Sequence, residues 1–392
     1  MPQPNPVFSK LPTTIFTVMS ALATEHGAIN LGQGFPDEDG PLSIREAAAR
    51  SLTDGPNQYP PTRGRIELRR AIAAHAKRFY GFDFNPDTNV LVTSGGTEAL
   101  TASIMGLVGE GGEVVLIEPA YDSYRPIAEA MGATVRSVVL RQPDWTLTEE
   151  ALAAVIGPST RAVLLNSPLN PVGRAFTRAE LEALARVVAK SNAAVICDEV
   201  YEHLIFDGRE HIPLMRLPGM AERVVRVGSA GKMFSLTGWK VGWVTGPASL
   251  VDPIAKAHQF ITFTTPPALQ LGVAYALDNA MDFTLGLTRT LQANRDVLAE
   301  ALARMGFAIN PCEGTYFLTA DIGNLTNEPD TAFCERLVRE AGVALIPLSA
   351  FFTGGKPDNL VRFAFCKKRS VIEEAIERLN RYFKASSTTP SR

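Results

Sequence analysis

Seven short apolar runs recur between residues 89 and 246, each rich in β-branched residues and each ending in turn residues: "NVLVTSGG" (89–96), "EVVLIEP" (113–119), "ATVRSVVL" (133–140), "RAVLLNSP" (161–168), "AAVICDEV" (193–200), "ERVVRVGSA" (222–230) and "VGWVTG" (241–246). Segments with helical spacing fall between several of them, such as "TEALTASIMGLV" (97–108), "EEALAAVI" and "RAELEALARVVAK". Apolar runs without strict alternation, separated by helices, predict a mostly parallel sheet covered on both faces. The expected fold class is therefore α/β, with helices flanking a central sheet. At 392 residues two domains are the default. The α/β domain is assigned to residues 46–284. Residues 285–392 read as a smaller α+β domain: a helix over about 284–305, then "GFAINPCEGTYFLTADI", "GVALIPLSAFF" and "NLVRFAFCKK", then a closing helix in "SVIEEAIERLNRYFKAS". An extended N-terminal segment, 1–45, is expected to pack with it, and the final "SSTTPSR" is expected to be disordered.

Composition removes several classes of function. A net charge of −3 gives no reason to expect nucleic acid or an anionic membrane as partner. No stretch approaches the ~18 apolar residues of a membrane span, and the N-terminus has no signal-peptide pattern. Cys197, Cys312, Cys334 and Cys366 are far apart and form no C-x-x-C pair, so they read as free thiols rather than a disulfide frame or metal site. A soluble cytoplasmic protein without a metal is expected.

In open α/β sheets, ligands bind outside the carboxyl ends of the strands. The residues there are Gly95, Gly96 and Thr97, where a helix is expected to start near Thr97 and its free N–H groups suit a phosphate. They include Tyr121, whose ring could cover a flat molecule, and Asn166 and Asn170, which turn chemistry alone would also explain. Asp198 ends a strongly apolar strand and needs a partner, with Tyr201 nearby. In "GSAGKMFSLTGWKVGW" (228–243), Ser229 and Lys240 could hold a phosphate while Lys232 forms a Schiff base. Arg362 in "NLVRFAF" suits either a carboxylate clamp or an internal salt bridge. Taken together these groups match an aldehyde, a phenolic oxygen, a ring nitrogen and a phosphate, which is pyridoxal 5'-phosphate (PLP).

The motifs "INLGQGFPD", "NQYPPTRG", "NVLVTSGGTEAL", "ICDEVYEHLIFDG", "SAGKMFSLTGWKVGW" and "VRFAFCK" follow one another in the order seen in the class I/II aminotransferases of the fold-type I PLP enzymes. The chain resembles that family over nearly its whole length, and more narrowly the branch of kynurenine aminotransferase/glutamine transaminase K, bacterial methionine aminotransferase and N-succinyldiaminopimelate aminotransferase-like proteins. The resemblance implies that Lys232 carries the cofactor and then shuttles a proton, and that Asp198 pairs with the pyridinium nitrogen. It implies that Tyr201 and Asn170 hydrogen-bond the phenolic oxygen and that Tyr121 stacks on the ring. Gly95, Gly96, Thr97, Ser229 and Lys240 would bind the phosphate, with Tyr59 reaching the cofactor of a neighbouring subunit in a homodimer. Arg362, Asn170 and the Gly34 backbone would clamp the substrate carboxylate. Phe16 and Phe263 would line the side-chain pocket, Phe263 from the partner chain. Three positions depart from the kynurenine enzymes: Thr97 replaces an aromatic residue, Leu169 an asparagine, and Phe16 a tryptophan.

The expected activity is ping-pong transfer of an α-amino group from an L-amino acid, of methionine, glutamine or aromatic type, to a 2-oxo acid. The alternatives are an N-succinyldiaminopimelate or aspartate-type dicarboxylate donor, which Arg63 and Arg65 could meet, and a cysteine-S-conjugate β-lyase side activity. A cofactor-sensing regulator would need a DNA-binding domain, and only about 30 residues precede "LGQGFPD".

Overall fold

The computed structural model describes residues 2–354 and 357–387. Its strands are β1 (Ile29–Asn30), β2 (Val90–Thr93), β3 (Glu113–Glu118), β4 (Thr134–Val139), β5 (Thr160–Asn166), β6 (Ala194–Asp198), β7 (Val224–Ser229), β8 (Gly242–Thr245), β9 (Ala308–Ile309), β10 (Phe317–Asp321), β11 (Val343–Ala344), β12 (Ile346–Pro347) and β13 (Leu360–Ala364). Each of the seven apolar runs becomes one strand of a seven-stranded sheet, β2 to β8, in the order β2-β8-β7-β6-β5-β3-β4. Only β8 runs against its neighbours. The fold is the mostly parallel α/β sheet expected from the sequence.

The central strands are apolar throughout because both faces are covered. Every residue of β7 and β8 is buried, as is β6 from Val195 to Asp198. The helix Gly95–Leu107 packs on the β6–β8 face and against the helix Ala248–Ile261. Val90, Val92 and Trp243 point the other way, into a cluster with Leu68, Ala71 and Ile72 of the helix Ile66–Tyr80.

The topology gathers one edge of this sheet. Asn166 pairs with Asp198 at the carboxyl ends of β5 and β6. Ser229, ending β7, and Thr93, ending β2, both pair with Gly242 at the start of β8. Because β8 is reversed, the residues before it, including Lys240, arrive at the same edge as the residues after the others.

A four-stranded antiparallel sheet, β12-β13-β10-β9, forms from the C-terminal third. Arg362 lies in mid-sheet, opposite Thr319 of β10 and Ile346 of β12. The N-terminal segment, expected to be extended, instead contains the helix Ile15–Glu25. Thr14 caps it by accepting from the Thr17 N–H, and Met19 and Ala23 bury one face. It touches the helix Asp330–Ala341 and strands β11 and β12, while β1 pairs in parallel with β11. The long helix expected at about 284–305 spans Met281–Arg304. The closing helix runs Arg369–Ser387 and so takes in the first two residues of "SSTTPSR"; the rest of that tail lies outside the described residues. Among the described residues no helix is long and apolar enough to cross a membrane.

Candidate active site

A cavity of about 410 Å³ opens where the strand edge meets the small sheet. Its wall contains Phe16, Gly34, Gly95, Gly96, Thr97, Tyr121, Asn170, Asp198, Tyr201, Ser229, Lys232, Lys240 and Arg362. Thirteen of the fifteen site residues expected from the sequence thus face one space. The other two, Tyr59 and Phe263, stand outside it. Their rings meet edge-to-face at 5.2 Å on the surface, and Tyr59 is 81% exposed.

Lys232 belongs to the short helix Ala230–Met233 that follows β7. Burial brings its amine down to about 8, with the neighbouring cations Lys240 and Arg362 adding to the effect and Asp198 opposing it. Far more of it is therefore neutral near physiological pH than of an ordinary lysine, and neutral is the state a nucleophile or base requires. Asp198 is nearly fully buried, and burial raises its carboxyl above the ordinary range. It accepts from the Tyr124 hydroxyl at 2.6 Å and the Val200 N–H at 3.3 Å. The Asn166 side chain donates to the Asp198 carbonyl at 2.8 Å and accepts from the Asn170 N–H at 2.7 Å, which locks the turn after β5 to the end of β6.

The helix Gly95–Leu107 presents its first N–H groups to the cavity, starting two residues before the expected Thr97. Gly95 has φ +78°, and a Cβ there would stand 3.1 Å from the Lys240 side chain. Glycine thus allows both the turn and the approach of a cation. Glu98 holds this turn in place. It accepts from the Ser94 N–H at 2.9 Å and lies 3.0 Å from Nδ1 of the buried His258.

Arg362 is 1% exposed. It donates to the Asn170 Oδ1 at 3.0 Å and the Gly32 carbonyl at 2.9 Å, and its Nε has no partner. The guanidinium lies over the Phe317 ring at 3.9 Å, with Phe351 and Phe16 at 5.0 and 5.2 Å. Burial lowers it to about 10, so it remains a cation. It makes no internal salt bridge among the described residues, which removes that reading of its position.

Two contacts of the site escaped the sequence reading. Tyr124 holds Asp198 from one helical turn beyond Tyr121. Tyr316, just before β10, accepts from the Lys232 amine at 2.8 Å. A search for polar partners of a buried carboxylate and amine would have looked for such hydroxyls, but nothing local in the sequence points to these two.

Arg63 pairs with Asp252, and Arg65 pairs with Glu67 at 2.7 Å; neither lines the cavity. A second grouping of ligand-type side chains, His75, Glu202 and His203, lies away from the cavity. Its two Nε2 atoms are 2.7 Å apart, closer than the ~3.3 Å that two nitrogens keep on one tetrahedral zinc. Glu202 is also taken by Arg226 at 2.8 Å. The grouping is a hydrogen-bonded core cluster.

The cavity fits PLP on its own chemistry. Asp198, Lys232, Lys240 and Arg362 have no ion-pair partner among the described residues, although ion pairs are plentiful elsewhere. A buried carboxylate without a cation suits a protonated ring nitrogen, and a cation beside a helix N-terminus suits a phosphate. A partly neutral lysine amine suits an aldehyde.

The sequence matches the aminotransferase class I and II family over residues 26–379. A "Probable N-succinyldiaminopimelate aminotransferase" of Mycobacterium tuberculosis is 47% identical over 380 residues, which cover 94% of this chain and 96% of the relative. The methionine aminotransferase of Escherichia coli is 42% identical over 380 residues, covering 96% of this chain and 98% of that one. The solved structure of N-succinyldiaminopimelate aminotransferase from Mycobacterium tuberculosis superposes with a TM-score of 0.93 at 46% identity, covering 96% and 99% of the two chains. A methionine aminotransferase structure from Escherichia coli gives 0.94 at 41% identity, covering 97% and 99%. Members of this family use PLP to exchange amino groups between amino acids and 2-oxo acids. With its central sheet, its PLP-compatible cavity and this match over most of its length, the chain belongs to the class I and II aminotransferases.

Proposed function

We propose that this aminotransferase works by a ping-pong exchange at the cavity just described, with an apolar or aromatic L-amino acid as donor. Lys232 carries the reading: its amine is drawn down to about 8, and it faces both Asp198 and Arg362 across the same space. PLP, when bound, supplies an aldehyde and a protonated ring that draws electron density from the substrate Cα. Gly95, Gly96, Thr97, Ser229 and Lys240 would hold its phosphate, and Tyr121 would cover the ring. Asp198, braced by Tyr124, keeps the ring nitrogen protonated. Tyr201 and the amide of Asn170 hold the phenolic oxygen. Arg362 binds the substrate carboxylate, together with Asn170 and the Gly34 backbone. Lys232 would accept the α-proton on its neutral amine and hold it for return.

The side-chain end of the cavity supports the donor class. Phe16 packs edge-to-face on Phe351 at 5.8 Å, presenting apolar surface beside the carboxylate clamp. Arg63 and Arg65, the candidates for a distal carboxylate, are each occupied by a local acid. Methionine, glutamine and aromatic amino acids fit this setting. The second reading is an N-succinyldiaminopimelate donor, favoured by the name of the Mycobacterium tuberculosis relative. A panel of amino donors, read by single-turnover bleaching of the cofactor's visible absorption, tests the choice. Methionine or phenylalanine is expected to exceed aspartate and N-succinyldiaminopimelate in kcat/KM by about tenfold or more. The reverse order would replace the first reading with the second.

The working unit proposed is a homodimer. Tyr59, Phe260, Ile261 and Phe263 are exposed large apolar residues, with Phe260 at 83%. Such a group marks a contact surface. In the dimer Tyr59 reaches the partner's cofactor phosphate and Phe263 its substrate pocket. Phe260→Asp is expected to raise the dimer dissociation constant roughly a hundredfold, since an unpaired carboxylate would enter an apolar contact. Sedimentation equilibrium measures it, and an unchanged constant would exclude this face. A cytoplasmic location is part of the proposal, supported by the four buried free cysteines.

A further inference from the structure

The Tyr316 hydroxyl meets the Tyr201 hydroxyl and two further groups. It donates to the Gly34 carbonyl at 2.5 Å, and Lys232 Nζ donates to it at 2.8 Å. The direction of these bonds is fixed by inventory. A phenol has one proton, and a carbonyl can only accept. With that proton committed to Gly34, the oxygen meets Lys232 as an acceptor. A neutral lysine amine therefore spends one N–H on Tyr316 and keeps its lone pair for the cavity. The ring cannot easily leave this position. It is 1% exposed and is wedged edge-on against Tyr201 at 5.2 Å and Phe317 at 4.8 Å. Tyr316 immediately precedes β10 of the small sheet and Lys232 lies in the helix that follows β7 of the large one, so their contact joins the two halves of the site.

We propose that Tyr316 is a positioning residue whose hydroxyl holds the amine of Lys232 once a substrate has displaced it from the cofactor. The inference rests on the reading of Lys232 as the cofactor-bearing lysine. In the displacement, the carbon–nitrogen double bond to Lys232 is exchanged for one to the substrate nitrogen. The two hydrogens of the neutral substrate amine pass to Lys232, which leaves as a free –NH2 group. The linked nitrogen carries at most one proton, which the cofactor's own phenolic oxygen would take, whereas the free amine has N–H groups to spare, so the displaced state gains the bond to Tyr316. Without the hydroxyl, a largely desolvated amine would be left short of an acceptor, and displacement would become less favourable. The same bond sets the aim of the base, because an amine tied at one N–H presents its lone pair in a fixed direction.

Tyr316→Phe removes the hydroxyl and keeps the ring that packs on Tyr201 and Phe317. The test is calorimetric titration of the wild-type and Y316F holoenzymes with two ligands. One is an α-methylated amino acid, which displaces Lys232 but has no α-proton to lose. The other is the carboxylic acid with the same side chain and no amine, which reaches the carboxylate clamp without displacing the lysine. The Kd of the α-methylated amino acid is expected to rise roughly three- to tenfold in Y316F, the loss of one hydrogen bond. The Kd of the carboxylic acid is expected to stay unchanged. Two unchanged values would overturn the proposal. An equal rise in both would also overturn it, since Tyr316 would then act only by steadying Gly34. A Lys232→Ala control separates the two layers of the argument. If the visible absorption of the lysine-linked cofactor survives in K232A, the assignment of Lys232 itself falls, whatever Y316F does.

Discussion

Lys232→Ala is expected to lower kcat by about 10⁴-fold, because it removes both the covalent anchor and the base that moves the α-proton. The loss should appear in the proton-transfer step. Single-turnover mixing with an amino donor would show the donor bound and the absorption change slowed by that factor. The side chain is well placed to be missed. Its amine has been brought down to about 8 by burial, a shift of the kind that gathers at functional sites. Removing it also takes one cation from a cavity that keeps Lys240 and Arg362, so the variant should fold and retain PLP through its phosphate and ring contacts. Near-wild-type turnover in Lys232→Ala would end the assignment.

Asp198→Asn is the second large effect. The substitution keeps the shape, and the new amide oxygen can still accept from Tyr124. What it loses is the charge opposite the ring nitrogen. A fall in kcat of roughly 10³-fold is expected, within the range found for removing one preorganised electrostatic group from a site. KM for the donor should change much less, since the carboxylate clamp at Arg362 is untouched. Stability should move the other way. Burial raises the Asp198 carboxyl in the folded chain above its unfolded value, so the ionised form is penalised at neutral pH. That penalty is present above the folded pKa and fades as pH falls through it. Cofactor-stripped Asp198→Asn should therefore melt at a higher temperature than cofactor-stripped wild type at pH 7. Equal turnover, or a lower melting temperature, would contradict the role.

The large sheet was legible because its strands are buried on both faces. That condition forces uninterrupted apolar runs, and each of the seven runs became a strand with ends shifted by a few residues. Lys232, Asp198 and Arg362 were legible because each is a charge where the local pattern is apolar. The N-terminal helix was not. Its short apolar face gains meaning only against strands that come some 300 residues later in the sequence. Tyr124 and Tyr316 were hidden for the same reason. Their partners lie 74 and 84 residues away, and a tyrosine beside other aromatic residues looks like core until a buried charge is found facing it. Tyr59 and Phe263 needed another kind of information. Their exposure makes little sense within one chain.

The cavity draws its walls from both ends of the polypeptide: Phe16 near the start and Arg362 near the finish lie 5.2 Å apart. The large sheet can form while the chain is still being made, since its last strand ends at Thr245. The carboxylate clamp cannot. It waits for β13, one of the last elements to leave the ribosome, to insert between β10 and β12. Contacts so distant in sequence form slowly. The residues proposed to hold the phosphate, and Lys232, are thus synthesised well before Arg362. A chain cut ahead of Leu360 would lack Arg362, the residue proposed to hold the substrate carboxylate.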